Sequence, residues 1–380
     1  MPIRLGTARA VRGQMTYGAY KLVSHPTGGN DTLPVVIAQG DPRGPVFWLT
    51  AGIHGPEHAG LQVLHQLLTP ELARALHGTI IAIPALNPAG LRTMQRRAYY
   101  HDGDPNRLFP EARPRPPQNP DLDPPSALET AYTRLFAEIC SSANYLIDLH
   151  NAWTGSVSCV FRDRVLYRND GTPQQCEQDR HAAASVDERV GEMCAAYGHP
   201  VVNDLGVEAY LGEKLHRSTS GAAVNTARIP AITLELGTGH VPDPRYVAAS
   251  IAGLRNVLRW AGLLPGPREP VTGIKKPKVG FACRRRGAPH TSQQCIVRHL
   301  VEPGDLIRRG QPLAEIRDVW GRLVGEKIVH SDYDGWVIGR THGIVYYAGT
   351  ELFGLAVRDD APTLQPYPDS FWAQSAPTSG

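Results

Sequence analysis

The stretch Leu49–Ala59, LTAGIHGPEHA, constrains this chain more than any other. A short apolar strand, Val46–Leu49, runs into a small-residue turn at Ala51–Gly52. His54 and Glu57 follow, spaced H-x-x-E, and a helix-like run extends from Glu57 to Leu68. One imidazole and one carboxylate thus stand at the carboxyl end of a strand, where open α/β sheets bind ligands. Pro56 sits where a first-turn proline is tolerated, which predicts a helix with Glu57 in its first turn. A catalytic zinc site needs at least one more protein ligand, so the rest of the chain decides the reading.

Other segments repeat the pattern of an apolar run ending on a polar residue. Thr79–Ala85 (TIIAIPA) and Asn144–Leu149 (NYLIDL) read as strands buried on both faces, and the second ends on His150. Ile229–Leu236 (IPAITLEL) is a further strand, leading into Gly237 and Gly239. Helices are predicted over Ala127–Cys140, with Ser126 as cap and Glu129 at the capping-box position, over Val186–Tyr197, and over Asp243–Leu264. Residues 156–180 are poorly patterned. The alternation predicts an α/β fold with a largely parallel or mixed sheet covered by helices.

Two histidines and a glutamate, with a fourth position left to water, make a catalytic zinc set. His54, Glu57 and His150 are the candidates. An isolated H-x-x-E is common, and a lone strand-end histidine is more often structural than a ligand. His58, His65 and His101 compete; His58, directly after Glu57, is the strongest rival. A zinc hydrolase also needs a proton carrier near the bound water. Glu235 qualifies because a carboxylate inside an apolar strand is unfavourable unless it is paired or functional. The bland alternative is an edge-strand glutamate facing solvent.

A long loop spans Asn87–Pro125. Within it, Asn106 and Arg107 would suit a carboxylate, since arginine offers a planar fork. Arg96 and Arg97 lie upstream and could polarise a carbonyl. On sequence alone, ordinary loop solvation is the readier explanation of any one arginine. His216, Arg217, Tyr346 and Tyr347 are further substrate-side candidates from flanking loops.

Composition bounds the rest. In 380 residues, 42% hydrophobic and 20% charged with a net charge of +3, nothing points to nucleic acid or an acidic membrane as partner. The basic runs Lys275–Lys278 and Arg284–Arg286 read as solvated surface or linker. The N-terminus lacks the apolar core of a signal peptide, and no run approaches a membrane span. The six cysteines form no C-x-x-C pair, so free buried thiols are expected. A soluble, cytoplasmic protein follows, and homo-oligomer formation is compatible with it.

Past residue 266 the pattern changes. Residues 267–278 form a Pro-, Gly- and Lys-rich linker. Residues 279–365 carry short strands between Gly- and Asp-containing turns, the pattern of a small all-β domain. Residues 366–380 read as a loose tail, and 1–266 as the catalytic domain.

Together G-I-H-G-P-E, N-P-A-G, D-G-D-P-N-R-L-F-P, D-L-H and L-E-L-G, in that order, resemble the succinylglutamate desuccinylase/aspartoacylase family, M14-type zinc carboxypeptidase-like deacylases. The resemblance covers nearly the whole chain. It implies a mixed sheet sandwiched by helices, of the zinc-exopeptidase, phosphorylase/hydrolase-like kind, with a C-terminal barrel-sandwich hybrid. It implies one zinc ion held by His54, Glu57 and His150, and Glu235 as general acid/base. Asn106 and Arg107 would hold a substrate carboxylate, and Arg97, in preference to Arg96, would stabilise the oxyanion. The implied activity is hydrolysis of the amide of a small N-acyl amino acid or amine, not of a peptide bond. A metallocarboxypeptidase acting on peptide C-termini and a silent binding or scaffold protein on the same fold are the alternatives. Lys327 is not at a carrier position, so the C-terminal domain is read as a cap over the active site. Two departures stand out: Pro105 where the family commonly has leucine, which removes an amide, and Pro56 where it often has Asn or Asp. The proline-rich insertion 110–125 and residues 151–180 are also atypical.

Overall fold

Apolar runs that alternate with helices bury both sheet faces when they assemble, and here they build one mixed sheet of twelve strands. The computed structural model describes residues 3–113, 124–237 and 239–373. Most of the proline-rich insertion and the end of the tail therefore lie outside the described residues. In chain order the strands of the sheet are β1 (Gln14–Ser24), β2 (Asn30–Gln39), β3 (Asp41–Ala51), β4 (His77–Ile83), β5 (Tyr145–His150) and β6 (Cys159–Arg162). They continue with β7 (Val201–Asn203), β8 (Ala231–Glu235), β9 (Cys283–His290), β10 (Leu306–Ile307), β11 (Gly335–Arg340) and β12 (Glu351–Arg358). Across the sheet the order is β10-β11-β12-β9-β7-β6-β8-β5-β3-β4-β2-β1.

At the centre, β3, β5 and β8 run parallel, with Ala51 opposite Leu149 and Glu235 opposite His150. That register puts the ends of three apolar strands side by side. β6 runs antiparallel to β8, so Cys159 lies beside Glu235 and Phe161 beside Thr233. Away from the site the centre is apolar: Phe47, Trp48, Leu49, Ile80, Ile81, Leu146, Ile147, Ile232 and Leu234 are all buried. Helix Ala59–Leu67 packs on β3 and β5. Gly60 permits that approach, because a Cβ there would lie 2.9 Å from the Cβ atoms of Ala51 and Leu149.

The predicted elements shift in instructive ways. The first helix begins at Ala59, not at Pro56, so Glu57 precedes it. The cause is competition for the backbone: Glu57 N bonds the His54 carbonyl in a turn, and Ala59 N donates to Asn151 Oδ1. Ser126 caps Ala127–Ser142 by accepting from Glu129 N, while the Glu129 carboxylate pairs with Arg217. The predicted Val186–Tyr197 is the second half of a helix that starts at Pro173 under a Thr172–Gln175 capping box. The unpatterned 156–180 segment also holds β6 and the strand Val165–Tyr167. Asp243 caps Pro244–Trp260, shorter than the predicted helix at its far end.

The C-terminal strands form antiparallel sheets. β9 to β12 join the large sheet through one parallel pair, Asn203 to Arg284. A separate four-stranded sheet takes the order Leu323–His330, Pro312–Arg317, Cys295–His299 and Val345–Tyr346. The segment after β5 docks against this part of the chain. Trp153 covers Gly339 and Gly354, where a Cβ would lie 3.0 and 2.6 Å from it. All six cysteines are free, four of them buried. Among the described residues no helix is long and apolar enough to cross a membrane.

Candidate active site and metal centre

The strand ends bring His54, Glu57 and His150 together, with one possible ligand atom of each within 4.8 Å of the others. Glu57 lies between the two rings: Oε1 is 2.7 Å from His54 Nδ1, and Oε2 is 2.8 Å from His150 Nδ1. The far ring nitrogens are held by other carboxylates. His54 Nε2 meets Asp104 Oδ1 at 3.1 Å, and His150 Nε2 meets Asp148 Oδ2 at 2.8 Å. Thr50 Oγ1 in turn donates to Asp148 Oδ1 at 2.6 Å. A carboxylate on Nε2 fixes the tautomer that leaves Nδ1 with its lone pair, the arrangement that orients histidine ligands on metals. Two imidazole nitrogens and a two-oxygen carboxylate on a shared point fit a zinc ion in donor type.

The electrostatics are mutual. Burial favours the neutral form of Glu57, yet His54 and His150 hold its carboxyl well below the usual range. Burial likewise opposes charge on His150, but Asp148 and Glu57 raise it well above an ordinary histidine. Asp104, although partly buried, is held far down by His54 and by Arg96. Asn151 ties the cluster to its surroundings: its N–H donates to Glu57 Oε2 at 3.2 Å, and its Nδ2 to the Gly237 and Gly239 carbonyls.

A cavity of about 400 Å³ opens at this point, lined by His54, Glu57, His150 and Glu235. Glu235 is the neighbour of His150 across the sheet. Burial raises its carboxyl to about 7, with His150 opposing and Glu57 adding to the rise, and Oε2 has no hydrogen-bond partner among the described residues. Asn106, Arg107 and Arg96 also line the cavity. Asn106 Oδ1 is occupied by Thr219 N and Oγ1 at 2.9 and 3.0 Å, which leaves its amide N–H₂ facing the cluster. Arg107 spends Nε on the Glu213 carbonyl and Nη1 on its neighbour Asn106. Arg96 binds Asp104 Oδ2 through Nε and Nη2 and turns Nη1 toward Glu57 at 3.6 Å.

The structure separates the remaining candidates from the cavity. Arg97 is exposed and does not line it; its neighbour Arg96 does, because successive side chains in this turn diverge. Arg217 is engaged with Glu129 and the Phe109 carbonyl. Tyr346 is buried in the C-terminal strands against His299 and His342, Tyr347 is exposed there, and His216 pairs with Glu111. Of the rival imidazoles, His58 sits at the helix N-cap, His65 is exposed and His101 meets Ser126. None joins the cluster. Sequence reasoning missed Asn151, Trp153, Asp163, Asp204, Ser220, Thr233 and Arg285, all of which line the cavity. Thr233 had a signal, two residues before Glu235 and hence on the same strand face.

Residues 43–261 match the Succinylglutamate desuccinylase/Aspartoacylase catalytic domain. The chain belongs to this family. The succinylglutamate desuccinylase of Burkholderia orbicola (strain MC0-3) is 32% identical over 127 residues, 33% of this chain and 35% of that protein. The chain thus spans about a third of the length of that relative. The one from Chromobacterium violaceum is 28% identical over 250 residues, 64% of this chain and 66% of that protein. Among solved structures, the product-bound Ectoine utilization protein EutE (DoeB) from Ruegeria pomeroyi covers 93% of this chain and 100% of its own, with a TM-score of 0.69 at 20% identity. A succinylglutamatedesuccinylase/aspartoacylase from Rhodobacter sphaeroides covers 91% and 96%, with a TM-score of 0.68 at 18% identity. At such identities the likeness shows the fold.

Proposed function

We propose that the protein is a zinc-dependent deacylase that hydrolyses the amide of an N-acyl amino acid or related small N-acyl amine. The observation that carries this reading is the placement of Glu57 between two Nδ1 atoms, beside the buried Oε2 of Glu235, which has no partner among the described residues. His54, Glu57 and His150 would hold the metal. Zinc in such a site polarises a carbonyl and brings the pKa of water from ~15.7 toward ~7.

The chain's own residues do the rest. Glu235 takes the proton of the attacking water at its free oxygen and delivers it to the leaving amine nitrogen. A carboxyl near 7 suits both halves of that transfer. Arg96, rather than the Arg97 expected from sequence, offers Nη1 to the carbonyl oxygen as charge develops on it. Asn106 and Arg107 grip a substrate carboxylate with the amide N–H₂ and the remaining guanidinium nitrogen. The C-terminal strands act as a cap by supplying Arg285 to the wall.

The test is Glu235→Gln, with zinc content and turnover measured on a panel of N-acyl amino acids and short peptides. Retained zinc with turnover lowered by ~10²–10⁴ is expected. Near-normal turnover would remove Glu235 from the mechanism, and preference for the peptides would replace the deacylase with a carboxypeptidase.

A further inference from the structure

Beyond β5 the chain leaves the metal cluster and is caught by the C-terminal strands. Asn151 comes first, and its hydrogen bonds reach inward. Its N–H donates to Glu57 Oε2 at 3.2 Å, its Oδ1 accepts from Ala59 N at 3.1 Å, and its Nδ2 donates to the Gly239 carbonyl at 2.6 Å. The following residues reach the other way. Thr154 forms an isolated antiparallel bridge with Arg340 of β11, whose N–H donates to the Thr154 carbonyl at 3.3 Å. Val157 N donates to the Ile338 carbonyl at 2.8 Å. Between the two sets of bonds stands Trp153.

Glycine makes its seat. Gly339 of β11 and Gly354 of β12 are partners across the strand pair, so two adjacent backbones lie bare at one place. The indole rests there: a Cβ on Gly354 would come within 2.6 Å of Cε3 and Cζ3, and one on Gly339 within 3.0 Å of the Trp153 Cβ. Neither glycine has a positive φ, so the backbone conformation does not call for glycine at these positions. The close approach of the ring does. A methyl group on Gly354 therefore has to displace the ring. Trp153 also packs on the apolar cluster of Phe161, Trp336, Ile338 and Ala356 that joins β6 to the C-terminal strands, and it lines the cavity.

We infer that Trp153 is a positioning residue: through its seat on Gly339 and Gly354, the C-terminal strands hold the loop that follows His150 and so set Asn151 against Glu57. One residue, Ala152, separates Trp153 from Asn151, so a displaced ring carries Asn151 with it. A ligating carboxylate that loses an N–H donor is less well oriented toward its metal. The C-terminal strands thus act on the metal centre itself, in addition to forming part of the cavity wall. The inference rests on the metal reading of His54, Glu57 and His150, and its test reads metal affinity as well as turnover.

The experiment measures zinc affinity of the full chain by competition with a chromophoric chelator, with kcat on an N-acyl amino acid alongside, at a temperature where circular dichroism shows each variant folded. Gly354→Ala should weaken zinc binding by ~10–100-fold and lower kcat. Trp153→Ala should weaken it as well. In the Trp153→Ala background, Gly354→Ala should change zinc affinity by less than ~2-fold, because the ring it displaces is gone. Trp153→Phe keeps a ring on the glycines and should bind zinc nearly as wild type does. An equal loss from Gly354→Ala with and without the indole overturns the inference. So does wild-type zinc affinity in Gly354→Ala or Trp153→Ala, even if the variant unfolds at lower urea; Trp153 would then be packing alone. Should Gly354→Ala not fold, Trp153→Phe and Trp153→Ala carry the test, and equal zinc affinities in the two overturn it. A wild type that takes up no zinc removes the metal reading and this inference together. Zinc affinity that follows the indole, without cleavage of any N-acyl compound, would sink the deacylase reading and leave the positioning role standing.

Discussion

The two ends of the cavity handle buried carboxylates in opposite ways. At the histidine end three carboxylates have basic partners, Glu57 two imidazoles, Asp104 His54 and Arg96, and Asp148 His150, while Glu235 beside them is raised like Asp163. Glu57 and Asp104 are accordingly held low. At the far end burial and Asp204 raise the Asp163 carboxyl, and the hydroxyls of Ser220 and Tyr210 and the guanidinium of Arg285 only partly offset them. Similar burial thus yields opposite shifts, and the partner decides which. The first end is organised by contacts within the protein around a shared point. The second leaves Asp163 raised, with Arg285 committed to Asp204.

The largest effect expected from this contrast follows from breaking the organised end. His150→Ala removes one of the two Nδ1 donors and leaves Asp148 buried without its imidazole. Zinc measured by elemental analysis should fall from about one per chain to a small fraction, and hydrolysis should fall by more than ~10²-fold. If zinc stays stoichiometric, the ligand set is wrong, and His58, whose buried Nε2 has no partner among the described residues, becomes the next candidate.

Much of the organised end was legible because each segment announces itself locally. LTAGIH, LIDLH and ITLEL are apolar runs that end on, or contain, one chemically active residue, and a buried strand forces that residue toward the sheet end. The parallel alignment of those ends needed the fold. The start of the first helix was misplaced because proline tolerance is a local rule, whereas Asn151, far away in sequence, takes the Ala59 N–H. Arg96 and Arg97 are chemically identical neighbours, and only the course of the turn distinguishes them. The far end left almost no trace. Asp163 and Asp204 follow strands of four and three residues, too short to show a period. Arg285 stands in a run of three arginines that reads as surface, and only strand pairing shows that it is drawn inward.

An intermediate effect should appear in stability rather than activity. The folded Asp163 carboxyl titrates near 7, above its ordinary 3.8, with Asp204, Arg285, Tyr210 and Ser220 around it. A proton held more tightly in the folded state means that ionisation weakens the fold. The loss accumulates as pH rises from about 4 to about 7 and is complete above that. Asp163→Asn, free of ligand, should therefore be more stable than wild type at pH 8, by on the order of 2–4 kcal/mol in urea unfolding. The gap should narrow by pH 5. A variant that is less stable at both pH values would show that Asp163 is compensated after all and would erase the contrast between the ends.

The smallest effect tests the same principle on an imidazole outside the cavity. His150, beside two carboxylates, is raised, whereas His199 is buried against Ser158 and the Ala249 carbonyl, with no carboxylate in contact among the described residues. Burial lowers His199 to about 3, the carbonyl opposing and Lys276 adding slightly. A depressed folded pKa contributes stability that is whole above the unfolded value of ~6.5 and is lost as pH falls toward 3. His199→Gln keeps a polar side chain but cannot take up a proton. Between pH 6 and 4 its unfolding free energy should decline less steeply than that of wild type, by up to ~1.4 kcal/mol per pH unit. Parallel declines would mean that His199 finds a counter-charge on protonation, and that a buried histidine here does not need a carboxylate in contact to stay charged.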